Sequence, residues 1–348
     1  MFRRRAIALG VVSFLLSVAN AQAQVSNVFN MPSGQTSLSF VTVGDPANAA
    51  DSTVRNGGTT GYGSVPYAYQ MGKYDVTVGQ YCQFLNAVAK TDPYGLFNSG
   101  MATAYSTIKI TQSGSPGSYS YAVTGSYSQA ANCPIAAVSW GDAARFCNWL
   151  ANGQPTGPEG NGITETGSYT LNGWTDNTDL MSVTRNAGAT YVIPTENEWY
   201  KAAYYKGGST NAGYWAYPTQ SDTAPGNTPP NGANYEIGAK FTDPANKLTP
   251  VGAFSASPGP YGTYDMGGDV WQWNETAVTS SERGLGGGNW DYYSNFLASS
   301  YRNDDYPTDQ GYDVGFRVAC VPEPGTLALL LVGVLGLLGY AWREGKRG

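Results

Sequence analysis

Three stretches of the chain carry apolar residues at helical spacing. In the first, Tyr81, Phe84, Leu85 and Val88 fall at i, i+3, i+4 and i+7. They follow Thr77, with Gln80 three residues on, the pair that forms a capping box. This helix is expected to end at Lys90-Thr91-Asp92-Pro93. In the second, Ala143, Phe146, Cys147 and Leu150 follow Ser139 and Asp142. The third opens at Thr195 with Glu198 as its box partner and puts Trp199, Ala202 and Ala203 on one face. The acids in these boxes read as caps, without a catalytic role. Short strands are expected at Leu38, Phe40 and Val41, over Tyr67 to Tyr74, in a hairpin around "GSYSYAV", over Ala189 to Ile193, and finally over Gly315 to Ala319. Residues 94–132, 153–179 and 207–250 are rich in Gly, Ser, Pro and Asn and read mostly as loop. No linker divides 38–320, and few helices with short scattered strands indicate one irregular, loop-rich α+β domain.

The two ends follow other patterns. Arg3–Arg5, an apolar run from Ala6 to Val18 and Ala21-Gln22-Ala23 predict a signal peptide over 1–23, cleaved before Gln24. Residues 24–37 then form an N-terminal segment. At the other end, Val321-Pro322-Glu323-Pro324-Gly325 leads into an apolar run, Thr326 to Trp342, followed by Arg343, Lys346 and Arg347. Roughly 17 residues make a helix of about 25 Å, marginally enough to span a bilayer. The basic end is expected on the cytoplasmic side.

Charge and composition exclude several functions. The net charge is −6, and it becomes more negative once Arg3–Arg5 leave with the signal. Such a surface does not attract nucleic acid. The chain has no histidine, which excludes Ser-His-Asp and Cys-His catalysis, His-ligated zinc and the two-His-one-carboxylate iron site. There are four cysteines, Cys82, Cys133, Cys147 and Cys320. In an oxidising compartment an even count suggests two disulfides with three possible connectivities. Cys82 and Cys147 also sit near apolar helix stripes, where a free thiol behaves as a small hydrophobe.

The most unusual stretch is Gly262 to Trp273, "GTYDMGGDVWQW". Its glycines allow tight turns. Its carbonyls and the side chains of Asp265 and Asp269 either supply oxygen ligands for a hard cation or cap the turns. It belongs to an ordered series of motifs: "AAVSWGDAARFCNWL", "IPTENEWYKAA", "TPVGAF", "GTYDMGGDVWQWNE", "RGLGGGNW" and "GFRVA". Over residues 38–320 the series resembles the formylglycine-generating enzyme / sulfatase-modifying-factor family, whose domain is a variant of the C-type-lectin-like fold. The tail over 321–348, with Pro322, Glu323 and Pro324 and the membrane segment 326–342, resembles the PEP-CTERM sorting signal. That signal implies handling by exosortase-type sorting machinery, an inner-membrane stage before processing, and final display at the cell surface, the outer membrane or the extracellular matrix of a Gram-negative-type bacterium.

The resemblance carries expectations about sites. It implies one calcium site from Asp265, the carbonyls of Gly268 and Val270, and Gln272, where the family commonly has Glu. A second would use Asn234, the Tyr235 carbonyl, Asp243 and the Ala245 carbonyl. It also favours a Cys147–Cys320 disulfide, leaving Cys82–Cys133. The family keeps its catalytic groove where this chain has Tyr292, Tyr293, Phe296, Tyr301, Arg302, Asp304, Asp305 and Tyr306. Such rings and charges suit a peptide or sugar platform, though most of the rings are expected to be packing, and Arg302 and Arg317 are expected in ion pairs. Formylglycine generators use copper, O2 and two cysteines between the "GGSW" and "GFR" motifs. Here Trp290 to Tyr312 has no cysteine, and the sulfoxide-synthase branch needs histidines that are absent. Neither copper nor iron is therefore expected. The expected function is an exported, non-catalytic binding or structural module whose ligand is extracellular polysaccharide or a protein. The alternatives are a metal-dependent oxidase acting on a cysteine-containing protein, or an accessory factor to a sulfatase or glycan-modifying enzyme.

Overall fold

A computed structural model of the protein describes residues 29–322. The signal peptide of residues 1–23, Glu323, Pro324 and the membrane segment 326–342 lie outside the described residues. All three capped helices form: α1 (Val78–Val88), α3 (Trp140–Ala151) and α5 (Glu196–Tyr204). Each has both hydrogen bonds of its capping box. In α1, Gln80 N–H donates to Thr77 Oγ1 at 3.2 Å and Thr77 N–H to Gln80 Oε1 at 2.9 Å. Two short helices were not anticipated, α2 (Gly100–Thr103) and α4 (Asn177–Ser182). Each buries one residue, too few to leave a periodic signal.

Strands β1 (Phe40–Val43), β2 (Tyr69–Gly72), β5 (Tyr191–Val192) and β12 (Ala319–Cys320) form one sheet in the order β1-β2-β12-β5. Strands β8 (Trp271–Ala277), β9 (Arg283–Gly286), β10 (Asn303–Asp305) and β11 (Val314–Gly315) form a second, in the order β10-β9-β8-β11. The expected hairpin is β3 (Lys109–Ser113) with β4 (Ser120–Thr124), and β6 (Asn227–Thr228) pairs with β7 (Asn231–Gly232).

Two expectations are corrected here. The turn-rich stretch ends sooner than Trp273, because β8 begins at Trp271. The first four residues of β8 are all buried, so the strand shows no inside–outside alternation. The final strand, expected over Gly315 to Ala319, is two strands in different sheets. Gly315 pairs beside Gln272 in one sheet and Ala319 pairs with Met71 in the other. Phe316, Arg317 and Val318 cross between them. The crossing is close at Gly315, where a Cβ would lie 2.3 Å from the Ile135 carbonyl oxygen.

The core is aromatic. Helices α1 and α3 meet through Phe84 and Phe146, whose centroids are 5.3 Å apart, and Phe146 reaches Phe316 at 5.3 Å. Trp140, Trp149, Trp199 and Trp273 are among the largest fully buried side chains. The long loops are ordered by buried side chains that bond their backbones. Asn148 Nδ2 donates to the carbonyls of Thr164 and Tyr169, and its Oδ1 accepts Tyr169 N–H. Arg145 pairs with Glu165 at 2.7 Å and donates to Trp174 O. Arg283 Nη2 donates to Leu180 O and Val183 O, with its guanidinium 3.7 Å from the Trp140 ring centre.

The Arg145 pair is buried on both sides, so Arg145→Ala leaves an unpaired buried carboxylate. It should lower unfolding free energy by about 3–5 kcal/mol in urea titration, and a loss under about 1 kcal/mol would refute the pinning role. Glu159 gives a pH signature. Both of its carboxylate oxygens are buried, with the Asp92 carboxylate as their neighbour. Burial, reinforced by Asp92, pushes its carboxyl up to about 8 from 4.5, against the pull of Arg145. The folded chain therefore holds this proton more tightly than the unfolded chain. The stabilisation is complete below 4.5 and is lost as pH rises through about 8. Melting temperature should fall from about pH 5 to about pH 9, and Glu159→Gln should flatten that fall by a few degrees. An identical pH profile in the variant would exclude Glu159 as the source.

Candidate functional site

The turn of residues 262–270 is tied through its carboxylates to the segments at 234 and 249–252. Asp265 and Asp269 both take left-handed backbone angles, φ 56° and 57°. Asp265 accepts Gly252 N–H at 2.6 Å. Asp269 accepts Thr249 N–H, Thr249 Oγ1 and Asn234 Nδ2, each at 2.7 Å. Gly268 lies so close to Asn234 that a Cβ would meet its carbonyl oxygen at 2.1 Å. Burial pushes Asp265 up to about 6, and burial with Asp265 nearby pushes Asp269 up to about 7.

Gln272 sits where the first calcium set needs an oxygen. Its Oε1 accepts Trp199 Nε1–H at 2.7 Å and Arg317 Nε–H at 2.8 Å, and its Nε2 donates to Asp265 O at 2.7 Å. That oxygen faces a guanidinium, a fixed cation, so Gln272 does not fit as a metal ligand. The second set is similar. Asp243 accepts the N–H groups of Ala245 and Asn246 and the Asn246 side chain, which caps its own turn. Tyr235 O accepts Asn227 Nδ2, and Asn234 Nδ2 is spent on Lys247 O and Asp269. Among the described residues, no group of three or more His, Cys, Asp or Glu side chains is placed to hold a metal ion. Of the side-chain oxygens expected to ligate calcium, those of Asp265 and Asp243 accept backbone N–H groups and that of Gln272 accepts Trp199 and Arg317.

The four cysteines are free thiols, so neither Cys147–Cys320 nor Cys82–Cys133 forms; this corrects the disulfide expectation. Each thiol is packed or bonded in place. Cys82 Sγ accepts Asn86 Nδ2 at 3.7 Å, and Cys133 Sγ donates to Gln129 O at 3.6 Å. Cys147 is fully buried on α3. Burial pushes the thiols of Cys82 and Cys320 up to about 11 and raises Cys133 and Cys147 further. A raised thiol is a poor nucleophile and a poor soft-metal ligand.

The residues expected at the groove do form a surface. Trp271 at the start of β8 is its buried floor. Tyr292, Phe296 and Tyr301 pack against Trp271 with centroids 6.0, 6.3 and 6.1 Å away. Tyr292 and Tyr293 remain exposed, and Asp304 and Asp305 lie on β10 opposite Gly284 and Arg283. Arg302 is not a free clamp: its Nη2 donates to Glu196 Oε2 at 2.7 Å, and Glu196 also pairs with Arg55. Arg55 in turn donates to Tyr301 O, so this network holds the aromatic stretch from behind. Trp271, Glu282 and Asp309 also belong here. Glu282 reaches Asp304 only because β9 pairs with β10, and no local pattern announces that.

Residues 34–321 match the model of the Sulfatase-modifying factor enzyme 1-like domain, and residues 321–347 match the PEP-CTERM protein-sorting motif. The chain is similar to a hercynine oxygenase of Mycolicibacterium smegmatis, with 28% identity over 152 residues, 36% of this chain and 32% of that protein. It is also similar to the inactive C-alpha-formylglycine-generating enzyme 2 of Bos taurus, with 29% identity over 194 residues, 53% of this chain and 50% of that protein. The chain thus spans between a third and a half of these curated relatives. Among solved structures, it aligns with CarF at TM-score 0.49 and 20% identity, covering 82% of this chain and 98% of that one. It aligns with PvdO from Pseudomonas aeruginosa at TM-score 0.44 and 18% identity, covering 82% and 92%. The match over most of the chain means that it belongs to the family of sulfatase-modifying factor enzyme 1-like domains, with a PEP-CTERM sorting motif following the domain.

Proposed function

We propose that this is an exported, non-catalytic binding module that exosortase-type machinery delivers to the cell surface or the extracellular matrix, with the tyrosine-rich surface of residues 290–312 as its ligand face. The observation that carries this reading is the content of that stretch. It presents exposed rings and carboxylates and contains no thiol or imidazole, while the four cysteines lie elsewhere, three buried and Cys320 half-buried, all with raised pKa values. Copper chemistry at this face would need a soft ligand that the stretch does not offer. The sorting motif supports export.

A second reading, an oxygenase, is favoured by the similarity to hercynine oxygenases over 36% of the chain. It would need a ligand set built without histidine. The mature protein, supplied with copper and a cysteine-containing peptide or with iron and hercynine, should consume no O2 above the protein-free rate. Stoichiometric turnover in either arm would overturn the binding reading.

We further propose that the turns around Asp265 and Asp243 stand on their N–H donors and on Arg317 without calcium. Adding a calcium chelator should leave the melting temperature unchanged. A specific ion raises stability by mass action, so a fall of several degrees on chelation would restore the calcium assignment.

A further inference from the structure

Four tyrosines of one stretch, Tyr292, Tyr293, Tyr306 and Tyr312, are 40–54% exposed, and they make up most of the large exposed apolar side chains among the described residues. Carboxylates run between the rings. Asp291 lies beside Tyr312, and Asp304 lies beside Tyr301. Two pairs of acids meet directly: Asp304 with Glu282, and Asp305 with Asp309. Burial and then these neighbours raise Asp304 and push Asp305 up to about 7. The one basic residue between 291 and 313, Arg302, is already bonded to Glu196. Arg302 offsets part of the like-charge contact at Asp304, and a further cation between the carboxylates would relieve the rest.

The backbone adds a second requirement. Strand β10 is the outer strand of its sheet and pairs only with β9. Among the described residues, no further backbone–backbone bond reaches Asn303–Asp305, and Asp305 Oδ1 accepts the N–H of its neighbour Tyr306 at 2.9 Å. An edge strand offers N–H and C=O groups to an added strand, and exposed tyrosine rings accept ammonium or guanidinium groups on their faces.

We propose that this edge binds an extended, lysine- or arginine-bearing segment of a partner protein, laid along β10 with its cations beside the Asp304–Glu282 pair on one side of the strand or the Asp305–Asp309 pair on the other. The proposal rests on the binding-module reading. Charge selects the ligand's sign, and the open strand edge selects a polypeptide over a small cation or a neutral sugar.

The test uses the mature protein and two labelled peptides of about six residues, the length of an ordinary strand. One alternates lysine with threonine and the other alternates glutamate with threonine; binding is read by fluorescence anisotropy. The lysine peptide should bind and the glutamate peptide should not. Affinity should fall about tenfold or more between about 50 and about 500 mM salt. The double variant Asp304→Asn/Asp305→Asn should weaken binding about tenfold with its melting curve preserved, and Tyr306→Ala should weaken it several-fold. If the first variant fails to fold, Glu282→Gln/Asp309→Asn serves the same purpose. Equal binding of both peptides, or no binding of the lysine peptide, overturns the proposal. A neutral oligosaccharide that binds through Tyr306 while the lysine peptide does not would overturn this proposal and leave the binding module standing. Turnover of a cysteine-containing peptide would remove the binding module itself.

Discussion

A single buried guanidinium fixes how the two sheets join. Arg317 is fully buried at the crossing from β11 to β12. An unpaired charge there would cost several kcal/mol, so its surroundings supply oxygens. Nη1 donates to Gly72 O of the first sheet at 2.7 Å, Nε to Gln272 of the second at 2.8 Å, and Nη2 to Tyr264 O of the turn at 2.8 Å. Asp75 lies 3.2 Å from Nη2, yet burial outweighs this contact and holds its carboxyl well above the usual range. One side chain thus ties both sheets and the glycine-rich turn to one point. The same bond decides the role of Gln272. An amide oxygen that accepts from Arg317 and Trp199 together has no lone pair directed at a further cation.

From that point the order propagates to the surface. Gln272 fixes the start of β8, and its neighbour Trp271 becomes the floor on which Tyr292, Phe296 and Tyr301 pack. Behind them, Glu196 at the start of α5 holds Arg55 and Arg302. The face is therefore built on a strand and a helix, and ring contacts with Trp271 and Trp290 position Tyr292 and Tyr312.

The sequence was most legible where the physics is local. The three capping boxes join residues three apart, so Thr77, Ser139 and Thr195 could be read directly, and each forms both of its bonds. The chain was less legible where distant partners decide. Strand β8 is buried on both sides at its start and shows no alternation. The split of Gly315–Ala319 depends on Ile135, Gln272 and Met71, none of them near in sequence. The aromatic half of the ligand face could be named from Tyr292 to Asp305, but its acidic partner Glu282 could not, because a strand pairing brings it there. An even cysteine count says nothing about where the thiols point, and Asn86 and Gln129 hold two of them in other contacts.

The charges between Trp290 and Tyr312 set the chemical character of this surface. A thiol site needs a depressed pKa, and thus positive charge or N–H donors near the sulfur. This face has the opposite field. Its carboxylates crowd one another, and its one guanidinium shares Glu196 with Arg55 while offsetting part of the charge at Asp304. A cysteine placed between Asp304 and Tyr306 would have its thiolate destabilised by those same carboxylates. The stretch has no cysteine and several acids, and a field of that sign disfavours a nucleophilic anion. The same field favours a cation at this surface over an anion.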